Sequence, residues 1–117
     1  MGTLEELVIN VRISIANPSA PSESMFGPGI AKLCDGVREL GSLNAAAKSM
    51  GMAYSKAWRI IKDTESTLDI QLLDRDGAHG SQLTEEGNRL LDVYQSISQQ
   101  LQEDGEALYH KELGTNG

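Results

Sequence analysis

Glycines at positions 41 and 51 bracket a run long enough for only two or three helical turns, and this punctuation constrains the fold more than any other feature. Upstream, Pro28 suits the first turn of a helix, where its missing N–H costs nothing. Ile30, Leu33, Cys34, Val37 and Leu40 then follow helical spacing up to Gly41. Ser42 is a good N-cap for a short second helix through Met50, whose Ala45, Ala46 and Ala47 permit close packing, and Gly51 closes it. A third helix is predicted from Tyr54 to Leu68. At 3.6 residues per turn its core stripe is Ala57, Ile61, Thr64 and Leu68; Ser55, Arg59 and Lys62 lie opposite, with Lys56 at the flank. Ile70–Leu73 and Ser81–Leu83 form a small hairpin around the turn 76–80. Thr84 caps a long final helix that has Glu85 and Glu86 in its first turn, where the helix dipole favours acids. Two helices joined by a glycine turn, followed by a hairpin, describe a winged helix-turn-helix.

Ahead of these elements, Leu7, Ile9, Val11, Ile13 and Ile15 alternate with Val8, Asn10, Arg12 and Ser14. A period of two rich in β-branched residues predicts a half-buried strand. The proline- and serine-containing stretch Asn17–Ser24 reads as a loop, and Met25-Phe26 as a short return strand. The expected architecture is mainly α with a little β: a winged helix-turn-helix domain over 1–83 (wing about 71–83), a dimerisation helix over 84–113 and a disordered tail at 114–117.

A chain of 117 residues fits one domain with a core of aliphatic side chains, since only 4% of its residues are aromatic. The lone Cys34 excludes an intrachain disulfide and fits a buried, inert thiol in a reducing compartment. No apolar run approaches membrane-spanning length, and Glu5 and Glu6 are the wrong flank for a signal peptide, so the expected location is the cytoplasm.

The formal charge is −7, which disfavours general adhesion to nucleic acid. Yet the 23 residues between Glu39 and Asp63 contain no acid and carry Lys48, Lys56, Arg59 and Lys62. The remainder therefore holds −11 against a local +4. Most charge runs are merely solvated faces. Here the reversal coincides with the helix that a helix-turn-helix presents to a major groove. Arg59 suits guanine O6 and N7, Lys56 and Lys62 suit phosphates, and Tyr54 or Ser55 can bond either kind of group.

Several motifs carry a family resemblance. Phe26-Gly27-Pro28-Gly29, Gly41-Ser42-Leu43-Asn44-Ala45-Ala46-Ala47, Gly51-Met52-Ala53-Tyr54-Ser55-Lys56-Ala57-Trp58 and Leu83-Thr84-Glu85-Glu86-Gly87 resemble the DNA-binding domain of ModE-type molybdenum-responsive regulators. More distantly, Gly41-Ser42-Leu43 with the alanines, and Leu72-Leu73-Asp74-Arg75, are similar to the LysR-type winged helix. The resemblance implies a regulator of transcription that dimerises through its terminal helices and reads DNA with Tyr54–Lys62. It places Ser42 and Asn44 at phosphates and makes Trp58 a packing residue. The turn 76–80 departs from the glycine-rich, basic wing of the family, leaving Arg75 and His79 as its candidate contacts. Within these 117 residues no oxyanion-binding domain is expected, nor is molybdate binding by this chain.

In the last helix Leu90, Tyr94, Ile97, Leu101 and Leu108 keep a/d spacing, Leu91 widens the stripe and Asp104 interrupts it. Beyond about Ser98 the helix outruns a domain this small, so these residues are expected to pair two copies into a homodimer. Gly105 is a point where the helix can fray or break. His79 and His110 lack Cys or carboxylate partners at ligand spacing, and no nucleophile elbow is present; neither a metal, a cofactor nor a catalytic site is expected. The function expected is sequence-specific binding of double-stranded DNA. The alternative is a winged-helix adaptor that meets another protein through its acidic surface.

Overall fold

The computed structural model describes residues 2–20, 24–75 and 81–114. A single 3₁₀ turn, Leu4–Glu6, precedes α1 (Pro28–Leu40), α2 (Leu43–Ser49), α3 (Tyr54–Leu68), β1 (Leu73–Arg75), β2 (Ser81–Leu83) and α4 (Glu85–Leu113). The caps fall where the sequence places them. Gly41 and Gly51 take φ of 85° and 65°, the left-handed region that side chains with a Cβ resist. The hydroxyls of Ser42 and Thr84 accept the Ala45 and Gly87 N–H groups at 3.0 and 2.9 Å. Each thereby satisfies a donor that its helix cannot.

The core sits where α1, α2, α3 and the start of α4 converge, and Phe26, Leu33, Leu43, Ile61, Leu72 and Leu91 are fully buried in it. The predicted α3 stripe holds: Ala57, Ile61 and Thr64 are buried and Leu68 packs against the core. Tyr94 completes the aromatic part, its ring edge-on to Phe26 at a centroid distance of 5.4 Å. Arg38 ties α1 to α4 through Asn88 and a 2.9 Å ion pair with Asp92. Cys34 is buried as expected; burial, reinforced by the Glu65 carboxylate, pushes its thiol up to about 12.

Three expectations are corrected. The N-terminal alternation is real, with Ile9, Val11, Ile13 and Ile15 half-buried and Asn10, Arg12 and Ser14 exposed, but Leu7 is exposed too. The segment joins no sheet. Its one bridge is Ile15 with Phe26, which is all that remains of the return strand. The rest lies as a strap along α4, whose side chains replace a partner strand. The Tyr94 hydroxyl donates to the Ile13 carbonyl at 3.0 Å and the Tyr109 hydroxyl to the Leu4 carbonyl at 2.7 Å. Between them the Gln102 amide donates to the Ile9 carbonyl at 2.7 Å and accepts the Val11 N–H at 2.8 Å. These three side chains stand about two turns apart, on one face.

Secondly, α4 passes unbroken through Gly105, where Val11 seats so closely that an added Cβ would lie 2.9 Å from its Cγ2. The glycine accommodates the strap rather than ending the helix. Thirdly, β1 starts at Leu73 instead of Ile70, pairing Leu73 with Leu83, Asp74 with Gln82 and Arg75 with Ser81. The Leu72 and Leu73 N–H groups are taken by the Glu65 carboxylate at 2.7 and 3.1 Å, which withdraws them from the hairpin. The turn 76–80 and the tail 115–117 lie outside the described residues.

Candidate nucleic-acid interface

The glycine turn at 51 and the α2–α3 packing set α3 across the domain with one face outward. Tyr54, Ser55, Lys56, Arg59 and Lys62 are all exposed on that helix, and Asn44 and Lys48 are exposed on α2. Ser42 is half-buried, with its hydroxyl committed to the cap. Trp58 packs at the edge of the core, as expected.

The cations are not equivalent. The Lys62 ammonium lies 3.3 Å from Glu65 and 4.6 Å above the Trp58 ring, so it is held close to its own helix. Lys56 and Arg59 make no ion pair among the described residues. Arg59 is the guanidinium left projecting from the centre of α3, with donors arranged for a bidentate acceptor. Sequence reasoning missed Glu65. On a helical wheel it stands about 40° from Ile61, at the border of the buried stripe, and that position was its only signal. Its carboxylate joins α3 to the first wing strand.

The wing candidates are only partly placed. Arg75 pairs with Ser81 along the strands, and His79 falls outside the described residues. Among the proposed dimer residues, Leu91 and Tyr94 are buried in the chain's own core and Leu90 is partly covered by it. Ile97, Leu101 and Leu108 are exposed, and they are joined by Val93, which the a/d pattern omitted. The described residues hold no cluster of three metal-ligating side chains, and no helix among them is long and apolar enough to cross a membrane.

Three helices, a turn between the second and third, and a two-stranded wing define a winged helix-turn-helix domain. Residues 31–88 match the family model described as bacterial regulatory helix-turn-helix protein, lysR family. That match falls on the more distant of the two resemblances drawn from the motifs, the LysR type. The fold is similar to that of the CbnR DNA-binding domain crystallised in complex with DNA, at 26% identity and a TM-score of 0.58, covering 68% of this chain and 90% of that one. It is also similar to intact CbnR, a LysR family transcriptional regulator, at 26% identity and a TM-score of 0.57, covering 70% of this chain but 28% of that one. These neighbours are regulators of transcription, not enzymes. No curated protein matches the sequence.

Proposed function

We propose that this chain is a DNA-binding transcriptional regulator that acts as a homodimer, with α3 in the major groove. The observation carrying the reading is the exposed face of Ser55, Lys56 and Arg59 inside the longest acid-free stretch of an acidic chain. The net charge of −11 elsewhere disfavours other approaches of DNA, so the cationic ridge both attracts and orients. Arg59 reads a base edge; Lys56 and Asn44 fix the register on phosphates; the first N–H groups of α2 support them. Lys62 contributes less than its charge suggests, being partly neutralised by Glu65. Placement within the ModE-type branch rests on the motifs alone, and molybdate sensing forms no part of this reading.

Binding to duplex DNA is expected to weaken steeply with salt, the logarithmic slope being near −0.9 per phosphate neutralised. Arg59→Ala is expected to cost about 1–3 kcal/mol on the preferred site and to relax selection at one base position. Equal affinity and selectivity in that variant, measured on sites selected from random duplexes, would remove Arg59 from the interface. Salt-independent or undetectable binding would favour the protein-adaptor alternative.

The dimer reading is supported by α4. Its strap-covered side continues the core, while Val93, Ile97, Leu101 and Leu108 stand open on another side. Leu101→Glu is expected to shift the chain to monomer in sedimentation while leaving the helical signal intact. An unchanged mass would argue against pairing through this stripe.

A further inference from the structure

We propose that the cleft between the strap, α1 and α4 binds a small monocarboxylic acid with an apolar body. Val11 and Arg12 of the strap, Ala31, Lys32 and Asp35 of α1, and Gln95 of α4 border a space of about 290 Å³. With a water taking about 30 Å³, such a space holds a molecule of about ten non-hydrogen atoms. The described residues that line it include none from α3 and none of Val93, Ile97, Leu101 and Leu108. The cleft thus stands apart from the face offered to DNA and from the open stripe of α4.

Arg12 and Lys32 define the head of the ligand. The chain carries 17 acidic side chains, yet neither cation forms an ion pair among the described residues. Two like charges, one from the strap and one from α1, therefore meet at one cleft with no intramolecular anion to bridge them. A carboxylate placed there relieves their repulsion and gains charge-assisted hydrogen bonds from a guanidinium fork and an ammonium. The floor defines the body. Val11, Pro28, Ala31 and Tyr94 form it, and the Tyr94 hydroxyl is committed to the Ile13 carbonyl, so carbon is what meets a guest. An apolar cleft with a few convergent polar groups is the usual form of a small-molecule site. Asp35 limits the charge. It accepts the Gln95 amide at 3.3 Å, and its own negative charge disfavours a second carboxylate on the guest.

Hexanoate is the probe, titrated into the full chain and followed by the amide NMR shifts of Ala31, Gln95 and Ser98. Saturable binding is expected. Hexanol, which lacks the charge, acetate, which lacks the body, and adipate, which adds a second charge, should each bind about tenfold more weakly. Arg12→Ala and Lys32→Ala change exposed side chains, so the fold survives them, and each should weaken hexanoate about tenfold. Asp35→Asn should strengthen it. Because the guest touches strap and α1 together, it must leave when the strap lifts. At ten times its dissociation constant, hexanoate should therefore slow exchange of the Val11 N–H, which donates to Gln102, about tenfold. Absence of saturable binding, hexanol binding as tight as hexanoate, or full hexanoate affinity in the Arg12→Ala, Lys32→Ala double variant would overturn the proposal. Val11 exchange unaffected by bound hexanoate would place the guest elsewhere and overturn it too. Inorganic phosphate binding more tightly than hexanoate would do the same, by making this a phosphate site.

Discussion

Gly87→Ala is expected to lower the stability of the domain by about 2–3 kcal/mol, even though alanine is the better helix former by about 1 kcal/mol. The reason is the seat of α4 on the wing. A Cβ at position 87 would stand 2.5 Å from the Leu72 carbonyl oxygen and 3.1 Å from the Thr84 hydroxyl. The first is backbone and the second is the N-cap of the same helix, so neither yields without loss. The Leu72 carbonyl also accepts the Thr84 N–H at 2.9 Å, so moving it away loosens the cap as well. Urea denaturation is the measurement. Two other glycines calibrate it: Gly29 has nothing within 4 Å of an added Cβ, and Gly105 meets side-chain ends alone, Val11 closely and Ile9 at ordinary contact distance. Gly29→Ala should be neutral or slightly stabilising and Gly105→Ala mildly destabilising. Wild-type stability in Gly87→Ala would mean that the helix does not sit this close to Leu72.

Glu65→Ala is expected to cost about 3 kcal/mol, the larger part from two stranded amides. Leu72 and Leu73 are buried, and their N–H groups have the Glu65 carboxylate as acceptor. Glu65→Gln keeps one acceptor oxygen and should lose about half as much. Lys62→Ala removes the ion pair but leaves both amide bonds, so its effect should stay near 0.5 kcal/mol. If Lys62→Ala were as damaging as Glu65→Ala, the ion pair would be the important contact. Amide exchange at Leu72 and Leu73 should accelerate in Glu65→Ala before exchange in α1 does.

The helices were legible because each carries its own punctuation. Pro28, Gly41, Ser42, Gly51 and Thr84 act on neighbours within four residues, so local chemistry settles where α1 and α2 begin and end and where α4 begins. The winged architecture followed from their order. The strap was legible only by half. Alternation from Ile9 to Ile15 says that one side is covered, but a helix bearing Tyr94, Gln102 and Tyr109 covers it as well as a strand does. That choice depends on residues about ninety positions away. For the same reason Gly105, read as a weakness in α4, is the recess in which Val11 packs.

In the site, the exposed cations on α3 could be read from spacing, because a helix with one aliphatic stripe and no acid before Asp63 has one way to face. Their inequality could not. Whether Lys62 projects or is drawn back depends on Glu65, and Glu65 is fixed by amides that belong to the next element. Leu91 and Tyr94 share a heptad pattern with Ile97 and Leu101, and periodicity does not distinguish a core that ends from a seam that begins.

The strap's attachments follow a sequence in space, from the Ile15–Phe26 bridge outward to Tyr94, Gln102 and Tyr109. Each outer link closes a short loop only after the inner one is made, so docking advances like a zip from the domain toward the far end of α4. Release runs in the opposite direction, and the Leu4–Tyr109 link opens first. A graded order of opening along the chain is thus expected, with the helices of the winged domain at the most persistent end and the outer tip of the strap at the most labile.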